Sequence, residues 1–477
     1  MRFLLITDAL NYVGGGFEPL GMLYILSAVR QAGHEVNIVE SDYHKAAEVI
    51  RSWQPQVCGY SLYTGYHKPL IELNRSLKEE FKFFSVFGGP HPTFFPEMVE
   101  EAGVDAICRG EGDEAIAELM DTMAEGGDVS GIRNFWIKCE GEIVKNEIRP
   151  LQQDLDKIAF PARDVFYRYP KVYHNRVRVA VTARGCPYTC TYCYNYKIKE
   201  LYNGLPGQHL RQRGVDSVIE EISEIKANYP VNFIYFGTDN FTTRSDWVQE
   251  FSEKYGAKLR IPFLCATRPE TSRLEDFKAL KQAGCVTIYM GVESGDAAIR
   301  RELLNRRMSD EQIIRAAHYI HQAGLALATF NMICLPGETL EQAWKTVYLN
   351  QKCRTDYTLL AIFQPYPRTK LAEYAVEKGY FSGDYDIIPK SLYRYSKLAN
   401  PDRKRLEMLQ KLGALAVEFP RLTFIFKFLV KIYLPMFYLL LMKAHRASIY
   451  KFRIMPLKLS IKEIFTLIFR YLSDYST

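Results

Sequence analysis

Short apolar runs alternate with stretches in which apolar residues recur every three or four positions along most of this chain. Arg2 to Thr7, Val36 to Glu40, Val57 to Tyr63, Phe83 to Phe87 and Asp105 to Cys108 predict buried strands. Helices are predicted between them near 19–32, 44–53, 69–81, 94–102 and 113–125. Alternation of this kind specifies an α/β fold with a doubly wound, Rossmann-like parallel sheet. Asn134 to Lys145 alternates and turns at Glu140-Gly141, which predicts a short hairpin, and Leu151 to Asp164 lacks a period and reads as an ordered linker. The β/α alternation then resumes. Strands are expected at Val177 to Thr182, Asn232 to Phe236, Phe263 to Ala266, Thr287 to Gly291, Ala326 to Cys334 and Tyr357 to Gln364, with helices near 215–228, 244–256, 274–283, 310–323 and 339–353. The expected division is 1–147, a linker over 148–176, a second α/β domain over 177–385, and a mostly helical region over 386–477.

Composition changes this picture little. With 477 residues, 48% hydrophobic and 24% charged, the chain reads as globular with ample core. The first residues, Met1 to Asp8, form too short an apolar run for a signal peptide and read as a strand, so an intracellular, cytoplasmic protein is expected. Charge is uneven. Pro420 to Thr477 holds ten Lys or Arg against Glu463 and Asp474, a balance of +8 when the whole chain carries +6, which leaves −2 for the remainder. Ile432 to Met442 is uncharged but too short to span a membrane and contains Pro435. Leu457, Ile461, Ile464, Phe465, Ile468 and Leu472 form one helical face opposite Lys458, Lys462 and Glu463. This pattern predicts either core packing or peripheral contact with the inner face of an anionic membrane.

Cysteine placement is the sharpest chemical signal. Seven of the ten cysteines stand alone, most in apolar runs, and read as buried thiols. Cys186, Cys190 and Cys193 crowd one Gly/Pro turn behind a predicted strand. Three thiolates there suit iron–sulfur ligation, whereas a structural zinc would want a fourth Cys or His nearby. With Tyr192 as its aromatic residue, the C-x3-C-x-aromatic-C string resembles the signature of the radical S-adenosylmethionine (SAM) family. The resemblance implies a [4Fe-4S] cluster with one open iron that chelates SAM, and a partial (β/α)6 TIM-like barrel.

Further strings extend it. Gly15 to Gly21, Gly59-Tyr60-Ser61, Gly88-Gly89-Pro90-His91-Pro92-Thr93 and Arg109 to Gly112 fall at strand ends, and the first domain resembles the cobalamin-binding domain that precedes many radical SAM cores. By that resemblance Ser61, Gly88 and Gly89 contact cobalamin. The loop from Asp8 to Pro19 lacks the histidine that many relatives place on cobalt, so cobalamin is expected without a protein histidine ligand. Asp42-Tyr43-His44 follows the wrong strand and reads as a solvated helix start, and His91 reads equally as a loop cap or a cobalamin contact. A methylthiotransferase-like domain would need Cys58, Cys108 and Cys139 to converge, yet they lie in or beside strands.

In the second domain, Asp239-Asn240 and Gly291-Val292-Glu293-Ser294-Gly295 resemble the family's SAM-binding segments. The resemblance gives Asp239 and Asn240 the SAM amino group, Glu293 and Ser294 the ribose and methionyl groups, and Leu335 to Thr339 the adenine side. Capping roles remain open for both pairs. Arg268 and Arg315 are candidates for the SAM carboxylate, and Arg368 stands where relatives often carry glycine.

The implied activity is generation of a 5′-deoxyadenosyl radical and methylation of an unactivated carbon in a small or lipid-like molecule. Ring closure or oxidation without methyl transfer, as in tetrapyrrole and hopanoid-type chemistry, is the alternative. A non-catalytic cobalamin- or SAM-responsive protein is a third. A reducing partner such as flavodoxin or ferredoxin is implied, and no nucleic acid.

Overall fold

The computed structural model describes residues 1–11, 18–389 and 391–455. By packing, the chain forms two units: one of residues 1–179 with 197–213, the other of 180–196 with 214–477.

The first unit holds a seven-stranded sheet. Its strands are β1 (Arg2–Thr7), β2 (Glu35–Glu40), β3 (Val57–Ser61), β4 (Phe84–Gly88), β5 (Ala106–Cys108), β6 (Phe135–Cys139) and β7 (Glu142–Lys145), in the order β2-β1-β3-β4-β5-β6-β7. The first five are parallel, and the predicted hairpin β6–β7 extends the sheet antiparallel. Glu140 and Gly141 both have positive φ, as a two-residue hairpin turn requires. Helices α1 (Leu20–Gln31), α2 (Tyr43–Trp53), α3 (His67–Glu80) and α4 (Asp113–Ala124) fall where the apolar period placed them. The helix expected over 94–102 is absent. A short helix Pro90–Phe94 and a 3-10 segment Pro96–Glu100 replace it, because Pro96 has no N–H to continue an α-helical ladder. Asp42 caps α2 by accepting the Lys45 N–H at 3.1 Å, and His44 is exposed on its first turn.

Beyond the hairpin, the linker is ordered and joins this unit through a buried ionic cluster. Glu18 receives a hydrogen bond from the Tyr167 hydroxyl at 2.6 Å and lies 3.6 and 3.7 Å from the guanidinium groups of Arg163 and Arg178. All four side chains are buried, so each charge depends on the others for compensation.

The second unit begins at the last residue of β8 (Val177–Ala180). A six-stranded sheet follows chain order through β9 (Phe233–Phe236), β10 (Phe263–Thr267), β11 (Cys285–Glu293), β12 (Ala326–Ile333) and β13 (Tyr357–Ile362). The pairs from β9 to β13 are parallel. Between strands run α5 (Val215–Asn228), α6 (Ser245–Lys258), α7 (Leu274–Ala283), α8 (Asp310–Gln322) and α9 (Leu340–Lys352), the last two opened by capping boxes. Their apolar faces and the strands bury one continuous core that includes Phe236, Phe251, Phe263 and Ile288.

C-terminal to this sheet lie α10 (Arg403–Glu418), α11 (Thr423–Leu429) and α12 (Pro435–Ile449). Residues 406–417 of α10 are all buried, and Gln410 donates to the Leu360 carbonyl of β13 at 2.9 Å. Within α10 the ammonium of Lys411 is also buried, donating to the Arg394 and Glu407 carbonyls at 3.0 and 3.2 Å. After α12 the chain turns through Tyr450–Ile454 onto the sheet. The Ile454 carbonyl accepts from the Thr287 hydroxyl at 2.8 Å, and the Tyr450 hydroxyl lies 2.6 Å from that of Tyr289. The predicted amphipathic face from Leu457 to Leu472 lies outside the described residues, as do Gly15, Gly16 and Phe17.

Candidate active site

The cysteine turn follows Gly185, whose φ of +85° reverses the chain. It is pinned from the segment after β11. Thr191 donates its hydroxyl to the Leu303 carbonyl at 2.5 Å, and Asn305 donates to the Thr189 carbonyl and hydroxyl at 3.0 and 2.9 Å. That segment is a π-helical turn, Ile299–Leu303. Such turns aim side chains that a regular helix would misplace.

Two guanidinium groups reach Cys190. Arg268 donates to its sulfur at 3.2 Å while stacking 3.6 Å over Tyr188 and pairing with Glu270 at 2.7 Å. Arg306 donates to the same sulfur at 3.7 Å, to the Tyr192 hydroxyl at 3.3 Å and to the Gly291 carbonyl at 2.5 Å, and lies 3.8 Å from Glu293. Cys193 accepts from the backbone and side-chain amides of Asn195 at 3.5 and 3.7 Å, and Asn195 in turn donates to Asp239 at 2.9 Å. All three cysteines are free thiols. Desolvation pushes Cys186 up and Cys193 up to about 11, and the Asp239 carboxylate adds to both. Among the described residues no three His, Cys, Asp or Glu side chains are placed to hold a single metal ion. A cluster puts each thiolate on a different iron and does not need that convergence. Soft sulfur donors with charge-assisted hydrogen bonds fit such a group.

The carboxylates divide by environment. Burial pushes Glu293 up, opposed by Arg306 and the Tyr192 hydroxyl, and its φ of +71° is unusual for a residue with a side chain. Desolvation likewise pushes Asp239 up against the Asn195 hydrogen bond, although its surface is accessible, as for a group lining a concavity. The amide oxygen of Asn240 accepts from Thr271 and Thr242 at 3.1 and 3.4 Å, while its buried Nδ2 has no partner in the structure. That nitrogen offers a ligand a donor rather than the acceptor expected from sequence. Ser294 is fully buried, and its hydroxyl accepts the Asp296 N–H at 3.2 Å.

The glycines beside these residues serve the protein itself. A Cβ on Gly295 would sit 2.2 Å from the Lys345 carbonyl oxygen of α9, and one on Gly291 would crowd Glu293 and Arg306. Arg315 is exposed on α8, whereas Arg268 is buried beside Cys190. Arg306, which sequence reasoning missed, is buried too. It sits in a polar loop with no spacing signal to mark it. Arg368 has φ of +63°, a conformation that glycine adopts without steric cost.

In the first unit, Ser61 and Gly88 are register partners at the C-terminal ends of β3 and β4, where ligands of open α/β sheets bind. Gly89 has φ of +97°, and a Cβ there would meet the Leu62 carbonyl at 2.9 Å. A Cβ on Gly88 would meet nothing, so the strand end offers a bare surface to a flat ligand. His91 is buried, bonded to Thr64 at 3.0 Å and stacked on His67 with centroids 3.9 Å apart. Cys58 and Cys108 are buried in β3 and β5, both pushed up by desolvation, and Cys139 lies in the hairpin.

The family model of the radical SAM superfamily matches residues 180–349, and that of the B12 binding domain matches residues 6–120. The chain is 31% identical over 382 residues to an uncharacterized methyltransferase of Pyrococcus horikoshii, covering 76% of this chain and 80% of that protein. It is 26% identical to the anaerobic magnesium-protoporphyrin IX monomethyl ester cyclase of Rubrivivax gelatinosus, covering 78% of this chain and 69% of the cyclase. Its fold is similar to that of the radical SAM methyltransferase TsrM from Kitasatospora setae, with TM-score 0.63 and 18% identity over 79% of this chain and 76% of TsrM. A B12 binding domain ahead of a three-cysteine loop thus places this chain in the radical SAM superfamily, as one of its B12-binding enzymes.

Proposed function

We propose that this enzyme methylates an unactivated carbon of a small or lipid-like molecule. In this reading a [4Fe-4S] cluster sits on Cys186, Cys190 and Cys193, SAM lies beside Tyr192, Asp239, Asn240, Glu293 and Ser294, and cobalamin rests on Ser61, Gly88 and Gly89. Residues 1–147 form the cobalamin domain and 177–385 the radical SAM core. The three groups together supply one-electron cleavage of SAM and carriage of a methyl group.

The observation that carries the reading is the convergence of Arg268 and Arg306 on the sulfur of Cys190. Buried cations donating to a ligating sulfur stabilise the more negative state of a cluster and so raise its reduction potential. Burial alone would lower the basicity of Arg306, but Tyr192, Glu293 and Cys190 outweigh it and keep the guanidinium protonated. Glu293 and Asp239 are acceptors for an ammonium or hydroxyl donor, and the unpaired amide of Asn240 is a donor for a carboxylate or ring nitrogen. A flavodoxin- or ferredoxin-class donor would supply the electron.

Anaerobic reconstitution with iron, sulfide and cobalamin, followed by dithionite and SAM, tests the reading. Wild type is expected to form 5′-deoxyadenosine, and Cys190→Ala none. Absence of product from the reconstituted wild type, with iron bound, would overturn it. The cyclase relative supports ring closure as a second reading. SAM labelled in its methyl group separates the two: label appears in product only if methyl is transferred.

A further inference from the structure

Helices at a protein surface bury one face and expose a polar one. Helices α11 and α12 do not. Phe426 of α11 and Tyr438, Leu439 and Met442 of α12 point inward and are buried. The outward positions are apolar as well. Phe424, Ile425 and Phe428 recur at i, i+1 and i+4 on α11, and Met436, Phe437, Leu440 and Leu441 repeat that spacing on α12. Phe424 and Met436 are 69% and 68% exposed, Phe428 and Phe437 62% and 61%. Ile432, Tyr433 and Leu434 in the turn between them are exposed too. Scattered exposed apolar residues need no explanation, but a run of this density on consecutive elements marks an interaction surface.

Charge identifies the partner. Between Phe419 and Met455 the sequence holds seven Lys or Arg and no Asp or Glu. Arg421, Lys427 and Lys431 are exposed within the run. The nearest preceding acid, Glu418, is engaged by His445 and by Arg453 at 3.1 Å. A second copy of the chain would set like charges against each other with no carboxylate to match them. A surface of acyl chains under anionic headgroups matches both features at once, with aromatic side chains entering the boundary and cations staying at the phosphates.

We infer that α11, α12 and their connecting turn dock this enzyme onto an anionic phospholipid surface, inserting Phe424, Phe428, Met436 and Phe437. The inference deepens the reading of a lipid-like substrate but concerns binding alone, so it can fail while the chemistry stands. Sedimentation of the full chain with phosphatidylglycerol–phosphatidylcholine vesicles tests it, against pure phosphatidylcholine. Wild type is expected to pellet with anionic vesicles and to be released by high salt. Phe428→Glu with Phe437→Glu should lower vesicle affinity about tenfold or more, as should Lys427→Glu with Lys431→Glu. Both variants should still form 5′-deoxyadenosine, which shows that they are folded. Wild type that ignores anionic vesicles, or double variants that bind them like wild type, would overturn the inference. So would a wild-type dimer in solution that these substitutions dissociate without any vesicle binding.

Discussion

At the scale of single residues, Arg306 carries more than any other side chain in the site, since one guanidinium serves Cys190, Tyr192, Gly291 and Glu293. Arg306→Ala strands a largely buried carboxylate and a buried carbonyl, and a loss of about 3 kcal/mol is expected in denaturant titration. Arg306→Lys returns the charge without the planar fork and should recover only part of that loss. The cysteines were legible in the sequence because their spacing is local. Arg306 was not, because its meaning depends on four partners brought together by folding. Arg368 gives a second prediction. Its φ of +63° suits glycine and tolerates a β-branched residue worst. Arg368→Val is therefore expected to be about 1–2 kcal/mol less stable than Arg368→Gly, measured as a difference in midpoint between the two variants.

Among the elements, two glycines at strand ends separate packing from binding. A side chain on Gly295 would meet backbone atoms of α9, so Gly295→Ala should cost about 3 kcal/mol or more, read as a lowered thermal midpoint. Gly88 faces open space, and Gly88→Ala should leave stability within about 0.5 kcal/mol while weakening retention of cobalamin on gel filtration. Periodicity anticipated α5 and α7 to the residue and every parallel strand of both sheets, since each buries a continuous apolar face. It failed at 94–102, where the apolar spacing is helical but Pro96 removes the donor that an α-helix needs. The Gly291–Gly295 string was legible through its resemblance to a family segment and not through any period, and its glycines also make room for Arg306 and for α9.

Across the whole molecule, the balance of charge conceals opposite local conditions. The net +6 is small, yet Lys411 is buried where desolvation lowers its affinity for a proton to about 8, despite the nearby Glu407 carboxylate. An unfolded lysine titrates at about 10.4, so between those values this side chain binds more protons in the unfolded chain and its own contribution to stability rises with pH. The buried thiols Cys58 and Cys108 act in the opposite sense over this range, so the lysine is read by difference: between about pH 8 and pH 10 the denaturant midpoint of wild type should rise relative to that of Lys411→Met. The C-terminal helices couple these scales. Helix α12 runs without a break into the turn whose Tyr450 and Ile454 close over Tyr289 and Thr287 of β11. Thr287 is wholly buried and Tyr289 nearly so beneath it. Trimming the C-terminal helices would therefore unroof the strand that carries Gly291 and Glu293, so their outward apolar residues are better altered by point substitution than removed with the chain that bears them.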